Sequence, residues 1–128
     1  MKNTHSTPGL SGYDPVAYHT EGKPVKGSGY HVAEHEGVTY LFANKKNRKM
    51  FEADPQKFLP EYGGFCAYGV SLGKKFASDP EVWRIENGKL FLNLDNDIQK
   101  KWEKDLSGHI QKADVNWPQI EEKAPAEL

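Results

Sequence analysis

The sequence predicts an α+β fold: a small antiparallel sheet built from two hairpins, with short helices around them and a C-terminal amphipathic helix. Three observations predict it. Tyr30 and Val32, then Val38, Tyr40 and Phe42, lie at every second position on either side of Glu36-Gly37, which is the period of a half-buried hairpin. Asn87-Gly88 separates Trp83-Arg84-Ile85 from Leu90-Phe91-Leu92, and Asn-Gly is the strongest short turn signal because both residues accept positive φ. Ile98, Trp102, Leu106, His109 or Ile110, and Ala113 recur at helical spacing, leaving Lys100, Lys101, Glu103 and Lys104 on the wet side.

Each remaining element has its own signal. In Gly12-Tyr13-Asp14-Pro15-Val16-Ala17-Tyr18, Asp14 is an N-cap candidate and proline takes the first helical position, so a single helical turn runs to about Tyr18. Glu21-Gly22-Lys23-Pro24 and Lys26-Gly27-Ser28-Gly29 break the chain before the first hairpin. Asn44 caps a helix from Lys45 to Ala53 that turns Met50 and Phe51 inward. Asp54-Pro55 repeats the cap-plus-proline device and opens a short turn ending near Tyr62. Ser71-Leu72-Gly73-Lys74-Lys75 leads into the second hairpin, Asp95 or Asn96 caps the longest helix, and Pro118 stops it. No stretch reads as an internal repeat. The reading is one domain over 10–120, with flexible termini at 1–9 and 121–128.

Composition narrows the function. A chain of 128 residues fits one domain that buries about two thirds of its unfolded surface. With 17 Lys plus Arg against 18 Asp plus Glu, the net charge of −1 offers no field to attract nucleic acid. Lys45-Lys46-Asn47-Arg48-Lys49 therefore reads as a wet helix face. Apolar runs of only a few residues exclude a membrane-spanning helix. The polar start lacks the apolar centre of a signal peptide but could equally be the trimmed edge of a longer precursor, so the sequence leaves the location open: periplasmic or secreted if a signal peptide was trimmed, otherwise cytoplasmic.

Tyr62-Gly63-Gly64-Phe65-Cys66-Ala67-Tyr68 is the best candidate for a site, because it sets the only cysteine behind two glycines and between aromatic residues. A helix starting at Phe65 would aim N–H groups at the thiol and stabilise a thiolate, the form that binds metals or attacks electrophiles. The alternative is a small buried hydrophobe.

Gly12 to Tyr18, Gly37-Val38-Thr39-Tyr40-Leu41-Phe42-Ala43, Phe51-Glu52-Ala53-Asp54-Pro55-Gln56-Lys57-Phe58 and Tyr62 to Ala67 together resemble the stand-alone YHS-domain proteins of bacteria. The likeness continues through Gly88-Lys89-Leu90-Phe91-Leu92-Asn93 and Ala113-Asp114-Val115-Asn116-Trp117-Pro118, so it covers about residues 10–120. It implies handling of a transition metal, copper before zinc, and no organic cofactor. The sequence departs from the family at Tyr40-Leu41-Phe42-Ala43-Asn44, where neither the histidine nor the serine of the name is present, and Cys66 is the one soft ligand that carries over.

A metal would therefore recruit histidine, carboxylate or tyrosine from elsewhere, and one or two of His31, His35 and His19 are the candidates to join Cys66, since imidazole and thiolate together suit copper or zinc. His31-Val32-Ala33-Glu34-His35 also spells H-x-x-E-H, whose peptidase chemistry needs a helix where this segment reads as a strand. The histidines read otherwise as exposed hairpin residues. Tyr13, Tyr18, Tyr62 and Tyr68, joined by Tyr30, would line a small pocket around Cys66 with Asp14 as its fixed charge, or else pack in the core. The leading expectation is a small binding protein rather than an enzyme, with a metal ion or small ligand as its partner. The alternatives are a thiol or redox enzyme centred on Cys66, with His19 or His31 as base, and a non-catalytic module that binds a small ligand or a protein.

Overall fold

The cap signals act where they stand in the sequence. Asn44 accepts a hydrogen bond from the Asn47 N–H and starts α2 (Lys45–Ala53), and Asp95 accepts one from the Ile98 N–H and starts α5 (Asn96–Glu103). In this computed structural model residues 8–128 are described, and the fold is α+β. The chain divides into two compact units, the first ending at Leu59 and the second beginning at Pro60.

The first unit runs from a left-handed turn at Gly9–Gly12 through α1 (Ala17–Thr20), β1 (Ser28–His35), β2 (Val38–Phe42), α2 and α3 (Pro55–Phe58). Strands β1 and β2 form an antiparallel hairpin closed at Glu36-Gly37, both at positive φ. Val16, Ala33, Phe42, Phe51 and Phe58 make its core, because the hairpin turns one face onto α2.

The second unit runs from a turn at Glu61–Gly64 through α4 (Ala67–Ser71), β3 (Asp79–Glu86), β4 (Lys89–Asn93), α5, α6 (Leu106–Ile120) and a last turn at Pro125–Glu127. Asn87-Gly88 makes the two-residue turn of the β3–β4 hairpin, as its dipeptide predicts. Tyr62, Ala67, Val70, Phe91, Trp102, Ala113 and Ile120 form this core. The two hairpins form separate two-stranded sheets.

Several expectations need correction. The C-terminal helix is two helices: Asp105 leaves helical geometry at φ −141°, and its side chain accepts from the Gly108 N–H to restart the chain as α6. Pro118 does not end α6, which continues to Ile120. Residues 121–128, expected to be flexible, make specific contacts. The Lys75 ammonium donates to the Glu121 and Lys123 carbonyls at 2.7 and 2.6 Å and sits 5.3 Å from the Phe65 and Trp117 ring centres, while Leu128 packs on the core. The stretch 1–9 lies outside the described residues up to position 7.

The largest correction concerns repetition, because the two units are versions of one design. The hairpin pairs Ser28–Phe42, Val32–Leu41 and His35–Val38 correspond to Asp79–Asn93, Trp83–Leu92 and Glu86–Lys89, a constant spacing of 51 residues (79 − 28 and 93 − 42). Both β1 and β3 carry the same bulge, held by a side chain that accepts from the N–H two residues on: Ser28 Oγ from Tyr30 at 3.1 Å, Asp79 Oδ1 from Glu81 at 2.9 Å. The ring pairs Tyr40–Phe51 and Phe91–Trp102 both lie at 5.3 Å and 47°. Leu10, Ser11 and Gly12 share positive φ with Tyr62, Gly63 and Gly64, and the caps Asn44 and Asp95 also correspond.

Candidate functional site

In this frame Cys66 is the counterpart of Asp14, 52 residues earlier (66 − 14). The Asp14 N–H donates to the Val25 carbonyl at 2.8 Å, and the Cys66 N–H donates to Phe76 at 3.0 Å, so the backbone at both stations is pinned the same way. Asp14 is fully buried. Its Oδ1 accepts from the Val16 and Ala17 N–H groups at 2.8 and 3.3 Å, and its Oδ2 accepts from the Ala43 N–H and Asn47 Nδ2, both at 2.8 Å. A buried carboxylate is tolerated only when its lone pairs are matched in this way. Asp14 is thus the polar hub of the first unit, joining α1, the end of β2 and α2, and not the fixed charge of a ligand pocket.

Cys66 is fully buried just before α4. Its Sγ accepts from the Leu94 N–H at 3.2 Å and donates to Asn93 Oδ1 at 3.4 Å, and the same Oδ1 takes the Tyr68 N–H at 3.0 Å. The helix begins at Ala67 and not at Phe65. Burial pushes the thiol above its ordinary pKa, although the N–H groups of Gly69, Leu94 and Tyr68 pull the other way. An activated thiolate is therefore not what this station holds at neutral pH.

The histidines proposed as its partners all belong to the first unit. His19 stacks edge-on against Phe58 at 5.4 Å, and its Nε2 is buried without a hydrogen-bond partner. Burial, with Lys57 adding to it, lowers its pKa against the opposing bond to the Phe58 backbone. His31 lies in the β1 bulge. His35 ends β1, edge-on to Phe51 at 6.0 Å, with Nε2 3.4 Å from Gln56 Nε2 and 3.9 Å from Glu36. His31 and His35 are on a strand, so H-x-x-E-H lacks the helix its chemistry requires. Among the described residues no three His, Cys, Asp or Glu side chains gather so as to hold a metal ion.

The tyrosines divide likewise. Tyr13 and Tyr18 are buried in the first unit. In the second, Tyr62 donates to Asp114 Oδ1 at 2.9 Å and packs on Phe91 and Trp117, and Tyr68 meets the His109 ring at 5.2 Å. Burial, and then the bond to Asp114, raise the Tyr62 pKa well above the usual phenol range. These are packing roles. Tyr30 is different: it is 91% exposed at the β1 bulge.

Sequence reasoning missed Asn93, a fully buried amide beside Cys66. Its one signal is a polar residue directly after Leu90-Phe91-Leu92, at a position where the first unit carries Phe42. No family model matches the chain, and neither a curated protein nor a solved structure matches it.

Proposed function

We propose that the chain is a non-catalytic binding protein of the YHS type that engages a protein partner through the exposed side of its first hairpin. The observation that carries this reading is Tyr30. An aromatic ring 91% exposed is costly to solubility, and its counterpart Glu81 in the same bulge indicates that the backbone there does not require one. Val32, two residues on, is also exposed. Tyrosine on a short, hydrogen-bonded bulge presents a large contact area with little rotamer freedom to lose, which is how binding anchors are built. The enclosed thiol favours this reading over a redox enzyme, and the ordered motifs from Gly12 to Pro118 support the family.

The test is selection of displayed peptides on the intact protein, followed by rebinding to Tyr30→Glu. Binding should fall about tenfold or more, a loss of roughly 1.4 kcal/mol, while the urea midpoint stays unchanged. Equal binding by both proteins would overturn the reading. Copper or zinc handling through Cys66, His31, His35 and His19, which the resemblance implies, is tested by elemental analysis of untagged protein. Stoichiometric metal that is lost in Cys66→Ala would replace the reading made here.

A further inference from the structure

The two hairpins differ along one edge. In a two-residue hairpin the residues that flank the turn exchange both of their backbone hydrogen bonds, and the pattern alternates from there. His35 and Ala33 therefore bond to β2, whereas Val32 and Glu34, opposite Leu41 and Thr39, turn their N–H and C=O groups away from it. The same register in the second unit turns Trp83 and Ile85 outward. There the edge is shut. The Trp83 carbonyl accepts from Gln99 Nε2 of α5 at 2.8 Å, Pro80 has no N–H to offer, and Glu81 adds a charge. Prolines and charged side chains are the usual means of keeping a second chain off an edge strand.

The first unit has none of these three devices. Gly29 stands for Pro80 and Tyr30 for Glu81. Arg48, at the place of Gln99, takes no strand carbonyl: its Nε makes no hydrogen bond and lies 3.8 Å from Glu52. Among the described residues no backbone group from outside the hairpin bonds to β1. Side chains narrow the kind of occupant. Tyr30, Val32 and Glu34 are all exposed and stand two residues apart, the spacing at which an adjacent strand meets them with its own side chains. Glu34 has no ion pair among the described residues, and Glu36 at the turn meets only the His35 ring, at 3.9 Å.

We propose that the partner enters as an extended, basic peptide segment that adds a third strand to the first hairpin along β1. This rests on the reading of Tyr30 as a binding anchor and specifies what that anchor holds. Val32 and Glu34 each donate their N–H to the incoming backbone and accept an N–H from it. A lysine or arginine of the segment faces Glu34, and an aromatic or aliphatic side chain lies on Val32 and Tyr30. The backbone ladder supplies affinity and the side chains select the sequence. The second unit has the same hairpin and is closed to such a segment.

The probe is the tightest-binding peptide of a randomised display library selected on the intact chain, synthesised free of its carrier. Saturating peptide should slow hydrogen exchange at the Val32 and Glu34 amides about tenfold or more, while Ala33, already bonded to β2, changes little. Methylating the peptide's backbone nitrogens one at a time should weaken binding about tenfold at alternate positions. Val32→Pro, which removes an outward N–H and no ladder bond, should weaken binding about tenfold with the urea midpoint unchanged; the methylation scan leaves the protein untouched and decides the matter should this variant unfold. The peptide should carry lysine or arginine and lose affinity for Glu34→Lys. A peptide that binds Tyr30→Glu poorly, yet accepts every N-methyl group and leaves exchange at Val32 and Glu34 unchanged, would overturn the added strand and leave the Tyr30 surface standing. A selection that yields no binder, or a peptide indifferent to both Tyr30→Glu and Val32→Pro, would overturn both.

Discussion

Replacing Asp14 with alanine should unfold the first unit or bring it to the edge of unfolding. The carboxylate holds four donors, and their loss separates into two parts. The Val16 and Ala17 N–H groups form a local cap, whose removal costs about 1–2 kcal/mol. The Ala43 N–H and Asn47 Nδ2 come from 29 and 33 residues away, and stranding each costs about 1–3 kcal/mol because water reaches the hub poorly. A total of about 5 kcal/mol equals the lower end of the whole stability of a domain, roughly 5–15 kcal/mol. Asp14→Asn should lose about half as much, since it keeps one oxygen for the Val16 and Ala17 pair and turns an NH₂ toward donors. Urea titrations followed by far-UV circular dichroism, with amide NMR spectra to locate the loss, measure both. An Asp14→Ala midpoint within about 0.5 kcal/mol of the parent would refute the hub and the bond assignments with it.

Gly88→Val and Gly37→Val should each destabilise by about 1 kcal/mol or more, because both glycines sit at positive φ (76° and 81°); an unchanged urea midpoint would show that the turns tolerate a β-branched residue. Trp102→Ala should cost about 3–5 kcal/mol and the exposed neighbour Lys101→Ala less than about 0.5, so comparable effects would mean that α5 docks on another face. His19, held below its ordinary 6.5 by burial, takes up its proton in the unfolded chain before it does in the folded one. Stability should therefore fall as pH drops through 6.5 toward the folded value, and His19→Gln should flatten that slope in urea midpoints taken between about pH 7.5 and 5.5. Cys66 should react with a bulky disulfide reagent only at the rate of unfolding, and prompt labelling of folded protein would contradict its burial.

Local signals were legible in the sequence because their physics is local. Asn87-Gly88, Asn44 and Asp95 each fix a turn or a cap within a few residues, and the alternation from Val38 to Phe42 is a property of one strand. The break at Asp105 was hidden because the apolar spacing from Ile98 to Ala113 runs across it in phase, so only the backbone reveals the restart. The duplication was hidden for a different reason. From Ser28 to Asp54, only Gly37, Leu41, Lys49, Glu52 and Asp54 recur 51 residues later, since the shared backbone asks for a cap, a bulge acceptor or an aromatic and not for one residue type. The state of Cys66 was illegible because the groups that enclose it, Asn93 and Leu94, arrive 27 and 28 residues later in the chain. Two glycines and two aromatics next to a thiol say nothing of a strand end that will close over it.

The Lys75 clasp bears on where this chain may be cut or extended. Helix ends leave carbonyls without partners and carry partial negative charge, and an ammonium placed there answers both. Here the cation is nearly buried between two rings, and its acceptors, Glu121 and Lys123, lie beyond the last residue of α6. A shortened version ending at Ile120 would look harmless by helix boundaries, yet it would remove both carbonyls that hold the Lys75 ammonium against Phe65 and Trp117. The boundary of the self-sufficient fold is set by the electrostatics of one lysine, and engineering at this end should begin after Lys123.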